Sequence, residues 1–135
     1  MNSILLDTHV LVWLLAGNKK IGKKSSSLIS QALQEDKLYI SAMSMWEVSM
    51  LVDRGRIELI QPIHNWYREV LALGIREIPL CGDIGIDSVL LESFHADPAD
   101  RMIVATAISK GFVLITGDSK ILKWSGSLER FNVEK

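Results

Sequence analysis

SILLDTHVLVWLLAG (residues 3–17) changes character at its fifth residue. Ile4, Leu5 and Leu6 form a short apolar run closed by Asp7, the length and composition of a buried strand. HVLVWLLAG then reads as a helix that stops at Gly17. A strand apolar at consecutive positions has no solvent-facing side, so both of its faces must be covered.

The same grammar recurs along the chain. GKKSSSLISQALQED (22–36) predicts a helix from about Ser26 or Ser27, with Leu28, Ile29, Ala32 and Leu33 on one face. KLYIS (37–41) is a second strand. AMSMWEVSMLVDRG (42–55) is a helix stopped by Gly55, with Met43, Trp46, Val48, Met50 and Leu51 available for burial. IHNWYREVLALG (63–74) is a helix closed by Gly74, IREIPL (75–80) alternates like an edge strand, and IGIDSVLLESF (84–94) is again helical. HADPADRMIVATA (95–107) opens a helix running to Gly111: Asp97 is the N-cap, Pro98 the first helical residue and Asp100 an acid in the first turn. FVLITGD (112–118) is a continuous apolar strand, followed by a short helix near 119–123 and a weak strand around 130–133. Strands separated by helices, with central runs apolar on both faces, predict a three-layer α/β/α sandwich around a parallel sheet of four or five strands, one domain spanning residues 1–135.

Composition bounds the function. With 48% hydrophobic and 23% charged residues in 135, the chain has material for a core and is not disordered. Cys81 is the only cysteine, which excludes an internal disulfide and a cysteine-based metal cluster and fits a reduced, cytoplasmic setting. The apolar stretch 4–16 is interrupted by Asp7 and His9, so it is expected neither to direct secretion nor to cross a membrane. Net charge is −1, but Lys19, Lys20, Lys23 and Lys24 bunch together, as do Arg54 and Arg56; such bunches are most often solvated loops.

Ligands of open parallel sheets bind beyond the carboxyl ends of the strands, and four acids fall at that edge. Asp7 closes the first strand and Asp118 follows FVLIT; Glu47 and Asp100 lie near the starts of the helices at 42 and 98. Taken singly, each has an ordinary use. Asp7 can cap the helix beginning near His9, Glu47 completes a capping box with Ser44, Asp100 favours a helix start, and Asp118 can cap the short helix after it. Taken together they repel, by about 4 kcal/mol for two unit charges at 4 Å and an effective dielectric of 20. Such a gathering must protonate or bind a cation. Oxygen donors without cysteine point to a hard ion, Mg²⁺ or Mn²⁺, and an open site of that kind suits phosphodiester hydrolysis.

LLDTHVLVWLL, ISAMSMWEVSML, DPADRMIVATA and VLITGD resemble, in order and spacing, the PIN domain and within it the VapC-type toxins of bacterial toxin–antitoxin pairs. The resemblance spans nearly the whole chain. It implies a Mg²⁺- or Mn²⁺-dependent ribonuclease, a homodimer silenced by a cognate antitoxin, with Asp7, Glu47, Asp100 and Asp118 as its catalytic, metal-binding acids. By the same resemblance Asp100 is the ligand, while Asp97 keeps the capping role and an outer contact to water on the metal.

Thr8 and Thr116 flank Asp7 and Asp118, and their hydroxyls are placed to hold a carboxylate or a metal-bound water. His9 is read as incidental, His64 and His95 are assigned no role, and Arg101 is expected in a structural ion pair. Trp13, Trp46 and Trp66, with Met43, Met45 and Met50, are mainly core candidates; Trp13 and the helix 42–52 are also where an antitoxin helix is expected to dock. A catalytically silent PIN-like module binding RNA or protein is the alternative, opposed by the presence of all four acids. A phosphoacceptor receiver domain would need an acid pair at the first strand and a lysine after the last, which the chain does not offer.

Overall fold

In the computed structural model, which describes residues 2–135, β1 (Ile4–Leu6) is followed by α1 (Thr8–Ala16) and α2 (Lys23–Gln34). Next come β2 (Leu38–Ser41), α3 (Ala42–Asp53), α4 (Ile63–Ala72) and β3 (Arg76–Ile78). The second half holds α5 (Gly82–Leu90), α6 (Pro98–Lys110), β4 (Val113–Thr116), α7 (Ser119–Lys123) and β5 (Arg130–Asn132). The five strands form one sheet in the order β3-β2-β1-β4-β5, every pair parallel. IREIPL is an edge strand as its alternation predicts, and the short β5 closes the other edge.

Alternation along the strands splits the core in two. Leu5 and Leu114 face Ile103, Val104 and Ala107 of α6 and Ile121 of α7. Ile4, Leu6 and Ile115 face the other way, against α1 (Val10, Leu11), α2 (Ile29, Ala32) and α4 (Trp66, Val70). These side chains are withdrawn almost wholly from water, and each buried Val, Leu or Ile contributes about 1.5–3 kcal/mol. The result is the three-layer α/β/α fold expected from the apolar runs.

The chain winds outward from β1 to β2 and β3, then crosses back to place β4 on the other side of β1. The strand order therefore reverses between β1 and β4, and a crevice opens beyond their carboxyl ends. Asp7 and Asp118 follow those two strands.

Four sequence expectations are corrected. α2 begins at Lys23 rather than near Ser26 or Ser27, because the N–H groups of Lys24 and Ser25 find Lys135 O at 3.0 and 3.3 Å and need no side-chain cap. Ser41, not Ser44, caps α3, accepting from Met43 N at 3.0 Å; Ser44 is buried and accepts from Thr8 Oγ1 at 3.0 Å, so no Ser44–Glu47 capping box forms. Trp46, expected among the burial candidates of its helix, is 57% exposed. The helix of 84–94 starts earlier, at Gly82, and ends at Leu90, after which the chain turns through Ser93 at φ 58°.

Candidate active site

A cavity of about 320 Å³ at the β1/β4 crevice is lined by Asp7, Glu47, Asp97, Asp100 and Asp118, together with His9, Val10, Trp13 and Gly117. All four acids singled out in the sequence, and Asp97 with them, thus reach one place from separate segments of the chain. A larger cavity, about 610 Å³, lies at the opposite edge of the sheet around Ile4 and Val113, and no converging carboxylates line it.

Asp7 is buried where the crevice is deepest. Its Oδ1 accepts from Thr8 N at 2.9 Å and its Oδ2 from the Thr116 hydroxyl at 2.6 Å. Thr116 Oγ1 in turn accepts from Asp118 N at 3.0 Å, so its single proton is committed to Asp7. Burial pushes the Asp7 carboxyl above the usual range, and the Thr116 hydroxyl and Thr8 N–H oppose that rise. The Thr116 hydroxyl thus holds the Asp7 carboxyl, whereas Thr8 reaches Asp7 through its backbone N–H and gives its hydroxyl to Ser44.

Asp118 caps α7, its Oδ1 accepting from Lys120 N (2.8 Å) and Ile121 N (3.0 Å). Asp97 caps α6 by accepting from Asp100 N at 3.0 Å, the bond an N-cap makes. Asp100 has no capping bond of its own, and its side chain is turned into the cluster. Burial first, then repulsion by Asp7, Asp97, Asp118 and Glu47, pushes its carboxyl up to about 8. Glu47 is raised by burial and by Asp7 and Asp97, with the Thr8 hydroxyl working against the rise.

Two residues near the site depart from the sequence reading. Arg101 makes no ion pair among the described residues. Its Nε donates to His95 O (2.9 Å), Nη2 to Phe94 O (2.8 Å), and Nη1 to Ser88 O (2.9 Å) with longer contacts to Leu91 O and Val89 O. The cation thus serves carbonyls at the end of α5, where a helix leaves them without partners and favours positive charge. His95, assigned nothing from sequence, is brought back over α6 so that Nε2 lies 3.2 Å from Asp100 Oδ2, shielded from water but poorly aligned for a hydrogen bond.

The donor set fits a hard cation. Glu47, Asp97 and Asp100 offer atoms all within 4.8 Å of one another, and so do His95, Asp100 and Asp118. Carboxyls driven up in pKa by burial and then by mutual repulsion are what a divalent ion would relieve.

That relief has a measurable sign. Asp7, Glu47 and Asp100 hold protons more tightly folded than unfolded, so their contribution to stability is fully present below the unfolded values near 4. It is lost as pH rises through the folded values, for Asp100 about 8. In EDTA the melting temperature should fall between pH 5 and pH 9, and Asp100→Asn should flatten the fall. Millimolar Mn²⁺ or Mg²⁺ at pH 8 should raise it by about 5 °C. A melting temperature indifferent to both pH and metal would show that the carboxylates neither crowd nor chelate.

Residues 4–125 match the PIN domain. The chain belongs to the PIN family. Over 122 residues it is 35% identical to Ribonuclease VapC22 of Mycobacterium tuberculosis (strain ATCC 25618 / H37Rv), covering 90% of this chain and 91% of that protein, which places it with the VapC-type members. Among solved structures it resembles a toxin–antitoxin complex from Klebsiella pneumoniae, at 26% identity and a TM-score of 0.61, over 91% of this chain and 92% of that one. It also shares its fold with DNA-bound VapBC from Salmonella typhimurium, at 14% identity and a TM-score of 0.71, over 97% and 98% of the two chains. In this PIN domain each of the four short motifs of the sequence delivers one acid to the β1/β4 crevice.

Proposed function

We propose that this PIN domain, a single unit over residues 1–135, is a ribonuclease that hydrolyses RNA phosphodiester bonds with Mg²⁺ or Mn²⁺, acting in the cytoplasm as the toxin of a toxin–antitoxin pair. The observation that carries the reading is the convergence of Asp7, Glu47, Asp100 and Asp118 on one cavity whose lining holds no lysine or arginine. Its support from relatives is the identity to a VapC ribonuclease and the likeness to a toxin–antitoxin complex.

In this reading Asp7, Glu47, Asp100 and Asp118 hold the metal and are the catalytic acids. A divalent ion held there would activate a water and offset charge on the leaving oxygen. Thr116 donates to Asp7, which opposes the rise in its pKa, and accepts from Asp118 N, which links the two strand-end acids. Thr8 ties the start of α1 to Ser44 on the helix that carries Glu47, and Asp97 fixes the first turn of α6 that carries Asp100.

The antitoxin is proposed to take the apolar surface beside α1, where Val12, Leu15, Leu59, Ile60 and Trp66 line a groove and Ile60 is fully exposed. Trp46 extends the apolar surface on α3. A second copy of the chain is proposed to meet the exposed Ile86, Val89 and Leu90 of α5.

Purified protein with Mn²⁺ or Mg²⁺ should cut single-stranded or looped RNA, stop in EDTA, and arrest growth when expressed without a partner. RNA left intact under both metals, with growth unaffected, would transfer the chain to the silent-module class.

A further inference from the structure

The lysine bunch of the sequence and the half-buried Trp13 have no part in the acid cluster, yet the fold brings them beside it. Trp13 lines the acidic cavity, and its ring edge lies against Gly117, where an added Cβ would stand 3.7 Å from Cη2. Lys20 Nζ sits over that ring, 5.2 Å from its centroid. Lys20 is held there by the turn between α1 and α2, in which Asn18 Oδ1 accepts from Lys20 N at 2.9 Å.

The turn is fastened to the carboxyl edge of the sheet. Gly22 N donates to Val133 O at 2.8 Å, and Ser25 Oγ to Asn132 O at 3.2 Å, both just at or beyond the end of β5. Gly22 packs so closely that a Cβ would fall 2.1 Å from Lys135 O, so only glycine permits the approach. Lys19, Lys20, Lys23 and Lys24 are therefore displayed along the same edge as the acids, on the β5 side. All four are exposed, and none makes an ion pair among the described residues. The first free N–H groups of α2 are already taken by Lys135 O, so the positive character of the edge resides in the side chains.

An aromatic face bordered by unpaired cations is the combination that binds single-stranded nucleic acid: bases stack on the ring and cations follow the phosphates. With the five acids that line the pocket set aside, 15 basic side chains stand against 11 acidic ones, a net +4 outside it. We infer that Trp13 and the lysine arc of the α1–α2 turn form an RNA subsite: a base next to the scissile phosphate stacks on Trp13, and Lys19, Lys20, Lys23 and Lys24 track the strand leading away. Lys20 leaves the ring face for a phosphate as the base arrives. The inference rests on the RNA-cleaving reading above and names the surface that orients the substrate.

The test is binding of a fluorescein-labelled decauridylate in EDTA, followed by anisotropy from 50 to 200 mM KCl, with cleavage in Mn²⁺ measured in parallel. Replacing all four lysines by glutamine should weaken binding about 10- to 100-fold at the low-salt end and reduce the slope of log K against log salt by about 2–3, near 0.7 for each phosphate no longer neutralised. Trp13→Leu, which keeps bulk without a π-face, should weaken binding about 5- to 100-fold, and Trp13→Phe should recover most of the loss. The oligomer should quench intrinsic tryptophan fluorescence in the wild type, and that quenching should be lost in Trp13→Leu. If the wild type cuts RNA but the lysine variant keeps its affinity and salt slope, the subsite is refuted while the nuclease reading stands. The subsite is refuted equally if that variant loses an antitoxin while keeping its RNA affinity. If the wild type neither binds nor cuts, both fall.

Discussion

Replacing Asp100 by asparagine is expected to lower metal-dependent RNA cleavage by on the order of 1,000-fold or more, since several kcal/mol of charge stabilisation depend on anionic ligands. An amide is a poor substitute for a carboxylate on a hard cation. Binding of RNA in EDTA should be unchanged near neutral pH, where a carboxyl pushed up to about 8 is mostly protonated, and tighter above it, where a crowded negative charge is gone. Asp97→Asn is the partner experiment. Asparagine caps a helix about as well as aspartate, so the bond from Asp100 N survives and activity should fall by about tenfold at most. Single-turnover rates on one RNA, with both variants checked for unchanged melting, decide the matter. A dead Asp97→Asn beside an active Asp100→Asn would reverse the two assignments.

Arg101→Leu should cost about 3 kcal/mol of stability, or roughly 10 °C in melting temperature. It leaves the carbonyls of Ser88, Phe94 and His95 facing an apolar side chain in place of three bonds of 2.8–2.9 Å. Arg101→Lys should recover only a fraction, because a single ammonium cannot span carbonyls that a planar fork reaches together. The damage should extend to cleavage, since the loop that Arg101 grips carries His95 against Asp100 and ends in Asp97. A loss below 2 °C for Arg101→Leu would mean that the loop is held by its apolar contacts, chiefly Phe94 against Trp124.

How much of this was legible in the sequence depended on the range of the forces involved. Ile4, Leu5 and Leu6 declare a strand buried on both faces because burial acts on every residue of the run, and the strand-end positions of Asp7 and Asp118 follow from it. Asp97-Pro98 declares a helix start because capping is local. His95 was invisible for the opposite reason. Asp100 lies five positions further on, a spacing that suits neither helix nor strand, and only the turn at Ser93 and the Arg101 clamp fold His95 back. Arg101 itself was misread because sequence shows the charges near an arginine but not the unpaired carbonyls at the end of a helix. Trp46 was misjudged because apolar residues surround its helix on most sides, so the pattern does not say which face turns outward. The lysine bunch could be seen but not located, since its place depends on Gly22 meeting the end of β5 across more than a hundred residues.

The hydroxyl bridge from Thr116 to Asp7 joins positions 109 residues apart. During synthesis Asp7 and Glu47 leave the ribosome before β4, which must slot in beside β1 and complete the crevice. Closing that contact waits for β4, and such long-range pairing is slow relative to the local helices. A copy that stops before β4 therefore lacks the assembled acid cluster, and under the ribonuclease reading proposed above it could not cut.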